Sequence, residues 1–138
     1  MKPFDQVLYD QDDKAKDIVV DWLQRLDYTA CVNPDQYGID VLAELGGNKY
    51  QFEVEVKHNW KGYDFPYDTV HFAARKIKFA KEMGSTYFIM FNDDLSNALS
   101  VHSREILNSE IVSKNTKYTS NEQFVAVPFS KCTRESIQ

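Results

Sequence analysis

The sequence predicts a mixed α/β domain, with a mixed central sheet flanked by helices. Two observations support this class. Helix-like and strand-like segments follow one another in the order α-β-β-β-α-β-β-α-β. Residues 85–92, "STYFIMFN", are apolar almost throughout, which is typical of a strand buried on both faces. A chain of 138 residues is expected to form a single domain, residues 1–138.

The first elements are a helix, a strand and a hairpin. Residues 12–26 carry apolar side chains at helical spacing, and acidic residues cluster in the first turn, where the helix dipole stabilises them. Residues 28–33 form a short strand that ends at the turn sequence "PDQYG". Residues 38–45 and 50–58 are two further strands, and the "GGNK" between them predicts a hairpin.

The remaining elements follow the loop "NWKGYDFP". Residues 67–83 are expected to form a helix whose apolar stripe is Val70, Ala73, Ile77 and Ala80. The strand over 85–92 comes next, and residues 98–138 form a β-α-β extension. Its predicted parts are a strand at 98–103, a helix at 104–111, a polar loop at 112–123 and a strand at 124–129.

Composition narrows the function classes. No apolar run approaches the ~20 residues that a membrane-spanning helix needs, and the first residues lack the apolar core of a secretory signal. We therefore expect a cytoplasmic protein without a membrane partner. The net charge of −5 argues against a protein that coats nucleic acid non-specifically, although it allows a local basic groove. The two cysteines lie far apart and predict neither a zinc site nor a disulfide.

The hairpin places acidic residues on one face. Because side chains alternate along a strand, Glu53, Glu55 and Lys57 point to the same side. A two-residue Gly46-Gly47 turn would put Asp40 opposite Glu53, and a four-residue loop would put it opposite Glu55. Either even loop gathers Asp40 and the glutamates on one face, whereas a three-residue loop without a bulge would put Asp40 on the other face.

Like charges that face each other destabilise a sheet, so these carboxylates need a compensating cation. Lys57 is one candidate. A divalent metal is another, since Mg²⁺ is bound through carboxylates, waters and substrate phosphate oxygens. The alternative is a polar sheet face that is simply solvated.

The sequence "GID…EVEVK" on this hairpin, together with the element order, resembles the PD-(D/E)XK nuclease superfamily. Its members include restriction endonucleases, archaeal Holliday-junction resolvases and phage exonucleases. The resemblance implies a restriction-endonuclease-like αβββαβ core that covers about residues 12–92.

The resemblance also implies the site. Asp40, Glu55 and Lys57 would be the catalytic residues. Asp40, Glu55 and the backbone carbonyl of Val56 would hold Mg²⁺, which Mn²⁺ can replace. A further metal-binding acid would be either Asp17 on the first helix or Glu53 on the hairpin.

The implied activity is Mg²⁺-dependent hydrolysis of DNA phosphodiester bonds. Contacts to DNA are expected from Trp60 and Lys61 in the loop after the hairpin, and from Arg75 and Lys76 on the next predicted helix. Because the chain has little room for a recognition domain, we expect a structure-directed endonuclease rather than a sequence-specific one, acting as a homodimer.

Two other hypotheses belong to different classes. A nuclease-fold module that has lost catalysis could serve nucleic-acid or protein binding and assembly. A plain α/β interaction domain could carry the same hairpin with a solvated polar face. The three-residue combination of Asp40, Glu55 and Lys57 favours the nuclease.

Overall fold

The computed structural model describes residues 6–81, 85–115 and 120–137. The helices are α1 (Gln6–Arg25), α2 (Ile77–Ala80) and α3 (Ser103–Leu107), with 3₁₀ turns at Ala74–Lys76 and Phe129–Lys131. The strands are β1 (Thr29–Val32), β2 (Val41–Leu45), β3 (Asn48–Val56), β4 (Thr69–Ala73), β5 (Ser85–Phe91), β6 (Ala98–His102), β7 (Glu110–Lys114), β8 (Glu122–Pro128) and β9 (Thr133–Glu135). None of the helices in these ranges is both long and apolar enough to cross a membrane.

The strands form two sheets. The larger has six strands in the order β1-β2-β3-β5-β6-β9, and the smaller has the order β4-β8-β7. Strands β3 and β5 run parallel, whereas the other neighbours in both sheets are antiparallel. The parallel pair requires a crossover, which passes through β4 and α2. The predicted class, a mixed α/β domain with a mixed sheet and few helices, is confirmed.

Each face of the larger sheet has its own core. On one face, Ala15, Val19 and Leu23 of α1 pack with apolar side chains that include Phe52 and Val54. On the other face, the smaller sheet and the short helices cover the sheet, with Phe72 of β4 against Phe88 of β5 at 5.5 Å between ring centroids. The larger sheet therefore lies between α1 and the smaller sheet.

The hairpin closes with the two-residue turn. Gly46 and Gly47 have φ angles of 58° and 81°, the positive values that a tight primed hairpin turn requires at both central positions. Val41 pairs with Phe52, so Asp40 lies one step further along and opposite Glu53. The first of the two registers considered from the sequence is the one that forms.

The helix predicted over 67–83 is wrong for most of its described length. Thr69–Ala73 is a strand, Ala74–Lys76 is a 3₁₀ turn, and only Ile77–Ala80 is α-helical. Val70 and Phe72 are 0% and 1% exposed, which is the alternate burial of a strand. The predicted stripe linked Val70 with Ala73 at helical spacing, and pairing with β8 decided between helix and strand. Residues 82–84 lie outside the described part of the chain.

The C-terminal extension also differs from its prediction. The polar loop expected over 112–123 begins as strand β7, which pairs with β8. The predicted helix over 104–111 is limited to Ser103–Leu107, and strand β9 was not predicted. Residues 116–119 lie outside the described ranges. Both new strands are short and polar, and each is stabilised by a neighbour rather than by its own apolar pattern.

Candidate active site

The polar face of the hairpin is buried. Glu53 is only 3% exposed, and the side chains of Asp40 and Glu55 are 15% and 20% exposed. On this face of β3, the neighbouring residues of β5 are Phe88 and Met90, which belong to the core beneath the smaller sheet. These carboxylates therefore do not lie on a plain solvated face. Because burying unneutralised charge is costly, they need partners that compensate it.

Lys76 supplies much of the neutralisation. Its Nζ lies 2.8 Å from Glu55 Oε1 and 3.5 Å from Glu53 Oε1, and its side chain is 18% exposed. Burial alone would lower the pKa of this ammonium, but Glu55 and Glu53 outweigh that effect and raise its pKa above the ordinary value. Lys76, predicted to contact DNA phosphates, is therefore part of the carboxylate cluster.

Asp40 is held from two directions. Its Oδ2 accepts a hydrogen bond of 2.8 Å from the backbone N–H of Val54, and its Oδ1 lies 3.5 Å from Lys16 Nζ on α1. The strand thus positions the carboxylate, and the helix contributes a cation to it.

Glu53 carries the strongest electrostatic perturbation. Burial raises its pKa to about 9, and its hydrogen bond with Asp40 acts in the same direction, while Lys76 opposes both. Glu53 is therefore protonated at neutral pH. Its Oε2 is buried and accepts no hydrogen bond from the described residues. In this state a proton on Glu53 reduces the repulsion among the three carboxylates.

We expect Glu53→Gln to change how stability depends on pH. The folded pKa of Glu53 is raised, so its protonated form contributes stability that is complete below the unfolded value near 4.5 and is lost as pH rises through about 9. Glutamine keeps the shape and does not ionise. The free energy of unfolding is measured with urea at pH 5, 7 and 9. The difference between variant and wild type should therefore become more positive as pH rises, by at most about 1.4 kcal/mol per pH unit.

Glu44→Gln is the matched control, because Glu44 lies on β2 with its side chain exposed. Its stability should follow the wild-type pH profile closely. If the Glu53→Gln and wild-type profiles stay parallel from pH 5 to 9, the raised pKa of Glu53 is refuted.

Lys57 lies just beyond the end of β3. Its backbone N–H donates to Phe91 O over 2.8 Å, and its Nζ lies 5.1 Å from the centroid of the Tyr67 ring. Burial lowers the pKa of Lys57 and the nearby Lys114 lowers it further, whereas Glu55 opposes the shift. A lysine with a lowered pKa is better suited to proton transfer than an ordinary one. Val56, the other residue expected at the metal, is the last residue of β3.

The acid that α1 brings towards the cluster is Asp12, which the sequence analysis did not choose. Burial raises the pKa of Asp12, and Asp40 raises it too, while His58, Lys76 and Lys16 lower it. Asp17 is exposed, as Asp12 is, but it follows Lys16 and therefore lies about 100° further around the helix than Lys16. The spacing of Asp12 and Lys16, four residues apart, was the available signal, because such residues share a helix face.

The residues expected to contact DNA differ in how far their side chains are exposed. Trp60 is fully buried in the core, so its ring cannot stack on a base in this conformation, and that assignment is corrected. Lys61 is exposed and lies 3.0 Å from Asp93, and Arg75 lies 3.4 Å from Glu122. Both retain exposed side chains at 73% and 64%, and their contact with DNA stays a prediction.

The donor set fits a hard divalent cation in its chemistry. Asp40, Glu53, Glu55 and the Val56 carbonyl offer oxygen ligands, and Glu53 Oε2 is a buried oxygen without a hydrogen-bond donor among the described residues. In the described ranges, however, no group of three or more His, Cys, Asp or Glu side chains is positioned to hold a metal. Lys76 and Lys16 occupy the contacts that such a cation would make.

Comparison with known proteins supports the fold. Hjc, a Holliday junction resolvase from the archaeal hyperthermophile Archaeoglobus fulgidus, superposes with a TM-score of 0.56 over 87% of this chain and 85% of its own. The chain has a restriction-endonuclease-like fold. The two sequences are 11% identical, so the likeness shows the fold alone. No protein-family model matches the sequence, and no curated protein matches it either.

Proposed function

We propose that this protein is a Mg²⁺-dependent deoxyribonuclease that hydrolyses DNA phosphodiester bonds. The observation that carries the proposal is the meeting of Asp40, Glu53 and Glu55 on one largely buried face, with Lys57 just beyond the end of the same strand. A buried acid with a raised pKa, grouped with other carboxylates beside a partly desolvated lysine, is typical of a catalytic site rather than of a structural face.

Each residue has a distinct role in the proposal. Asp40, Glu55 and the carbonyl of Val56 would hold the metal, and Glu53 or Asp12 would complete its ligands. Bound Mg²⁺ would polarise the phosphate and lower the pKa of a bound water. Lys57, whose pKa is lowered by burial, would orient the attacking water or accept its proton, and its charged form would offset the charge that grows on the phosphate.

Lys76 takes a role that depends on what else is bound. Its ammonium neutralises Glu55 and Glu53, and it has to leave Glu55 before another cation can bind there. The long, flexible side chain allows this movement. Once released, it would be available to a phosphate oxygen of the substrate, which is the contact expected from the sequence.

DNA structure, rather than a base sequence, is the proposed target. The fold is shared with a Holliday junction resolvase, a protein whose substrate is a branched DNA. We further propose a homodimer, which would present two sites to two strands. A strictly monomeric protein in light scattering, with and without branched DNA, would contradict the dimer and leave the nuclease proposal intact.

The nuclease proposal predicts metal-dependent cleavage of at least one DNA form. Supercoiled, linear, single-stranded and four-way-junction DNA are incubated with the protein in Mg²⁺, in Mn²⁺ or in excess EDTA. Cleavage should occur with either metal, favour the junction over the linear duplex, and stop in EDTA, since without the metal the phosphate and water are not activated. Failure to cleave any of the four with either metal would refute the proposal.

A catalytically silent binding module is the second candidate, and one observation favours it. Lys76 and the proton on Glu53 already compensate the carboxylates, so the cluster is stable without a metal. A silent module would bind DNA equally well in EDTA and in Mg²⁺ and leave it intact. The same four substrates therefore separate the two candidates.

A further inference from the structure

A group of cationic and aromatic side chains lies beside the carboxylate cluster, against the outer face of the smaller sheet. We call it the Lys57–Lys114 surface, and its members are Lys57, Tyr67, His71, Lys114 and Phe124. The sheet turns its other face to the core, where Val70, Phe72, Val125 and Val127 are at most 1% exposed. Alternation along the strands then places His71 and Phe124 on the outer side.

The members of this surface form two groups of direct contacts. Lys57 Nζ lies 5.1 Å from the Tyr67 centroid, and Lys114 Nζ lies 5.9 Å from the Phe124 centroid. The rings of His71 and Phe124 are stacked at 5.9 Å with 27° between their planes. Strands β4 and β7 are separated by β8, so the surface is about 10 Å wide. The two groups are linked electrostatically, since the charge of Lys114 lowers the pKa of Lys57, the proposed catalytic lysine.

Its positive charge is not balanced locally. Within the described ranges, neither Lys57 nor Lys114 comes within ion-pair distance of a carboxylate. The ion pairs found there involve other basic residues. Lys114 lowers the pKa of both Lys57 and His71, which shows how near these groups are. Like charges that converge without an acid partner favour an anionic ligand.

Three acids near this surface are engaged or distant, and Asp68, with an exposed side chain, follows Tyr67 in the chain. Glu122 pairs with Lys114 across the ladder, but its carboxylate lies 3.4 Å from Arg75. Glu55 raises the pKa of Lys57, but its carboxylate is held by Lys76 at 2.8 Å. Glu110 lies at the opposite end of β7 from Lys114. The cations therefore remain available to a ligand.

The aromatic rings make this surface different from a simple basic patch. Tyr67 is 45% exposed, and beyond it Phe65 stacks on Phe129, which is 37% exposed. Rings presented beside cations suit unpaired bases, whose faces stack on the rings while their phosphates contact the ammonium groups. A paired duplex hides the faces of its bases, and it offers this surface only phosphates.

We propose that the Lys57–Lys114 surface binds an unpaired DNA strand and leads it to the carboxylate cluster. This inference rests on the proposed function and specifies its substrate class, DNA that contains unpaired nucleotides. Phosphates of the strand contact Lys114 and Lys57, and bases stack on Tyr67 and Phe124. The substrate of the enzyme is then a strand at a fork, flap or open junction rather than a continuous duplex.

Binding is measured in EDTA, so that it does not depend on cleavage. The probes are a 5′-fluorescein-labelled 15-nucleotide oligothymidylate and a blunt duplex, read by fluorescence anisotropy. Wild type should prefer the oligothymidylate. Lys114→Gln should weaken that binding roughly tenfold and reduce the slope of log affinity against log salt by about 0.7, the loss of one phosphate contact. Phe124→Leu should weaken it by a similar factor through lost stacking.

Lys49→Gln is the matched control, because Lys49 is an exposed lysine near the hairpin turn, at the other end of β3 from Lys57. It should bind within about twofold of wild type. Lys114 is also exposed, so its variant is expected to fold, and a thermal melt checks this. Equal affinity of Lys114→Gln and Lys49→Gln for the oligothymidylate, or a wild-type preference for the duplex, would overturn the proposal that this surface binds an unpaired strand.

The outcome is separable from that of the nuclease assay. Lys114-dependent binding of the single strand without any cleavage in Mg²⁺ would reject the nuclease and keep the surface. If Lys114→Gln cleaves forked and single-stranded DNA as wild type does, the proposed strand-binding role of the surface is rejected and the nuclease proposal stands.

Discussion

Replacing Lys57 with alanine is expected to lower the rate of Mg²⁺-dependent DNA cleavage by roughly 100- to 1,000-fold. Lys57 lies just beyond the end of β3, two residues after Glu55, and burial together with Lys114 lowers its pKa, so the side chain can both exchange a proton and stabilise charge. Alanine removes both abilities and leaves the carboxylates in place. Single-turnover cleavage of the best of the four DNA substrates, at saturating protein, measures the chemical step separately from binding.

Two further variants make this test specific. Lys57→Arg keeps a cation that does not give up its proton, so a rate close to that of alanine would indicate proton transfer, and a rate close to wild type would indicate charge stabilisation. Lys49→Ala is the control, because Lys49 is exposed and lies at the other end of β3 from Lys57. If Lys57→Ala cleaves every substrate at the wild-type rate, the nuclease proposal fails.

Replacing Trp60 with alanine is expected to lower the free energy of unfolding by about 3–5 kcal/mol. The ring has no exposed surface, and it packs edge-on against Phe65 at 5.2 Å between centroids. The backbone of Trp60 also ties the loop together, since its N–H donates to Lys57 O and its carbonyl accepts from the N–H of Asp93. Urea unfolding followed by far-ultraviolet circular dichroism measures the loss.

Trp60→Phe separates packing from hydrogen bonding. The indole Nε1 is buried and has no acceptor among the described residues, so phenylalanine gives up no hydrogen bond and should cost much less than alanine. Tyr63→Phe, at a ring that is 62% exposed, should stay within about 0.5 kcal/mol of wild type. A wild-type free energy of unfolding for Trp60→Ala would place the ring outside the core and reopen its assignment to DNA binding.

The features predicted well are those that depend on near neighbours in the chain. Helix α1 follows from apolar side chains at helical spacing, and residues such as Val19 and Leu23 are indeed buried. The hairpin follows from Gly46 and Gly47, which accept the positive φ angles of a two-residue turn. That turn alone places Asp40 opposite Glu53, so the Gly46-Gly47 dipeptide is enough to predict the relative position of these two acids.

Strand β4 shows where such local patterns fail. Val70 and Ala73 fit a helical stripe, whereas Val70 and Phe72 alternate as in a strand. The deciding interaction is the ladder with β8, where Val70 pairs with Val127. A pairing between residues so far apart in the chain leaves no short-range pattern, and tertiary contacts override helix propensity.

The sequence by itself determined which side chains share a face of the hairpin, because side-chain alternation and turn length are local properties. Only the tertiary structure decided that this face is buried, that Lys76 rather than Lys57 neutralises Glu55, and that Asp12 rather than Asp17 approaches Asp40. It also decided that Lys114 and Phe124 stand beside Lys57. Electrostatic and packing energies depend on distance in space, and the chain brings these residues together only when its two sheets pack.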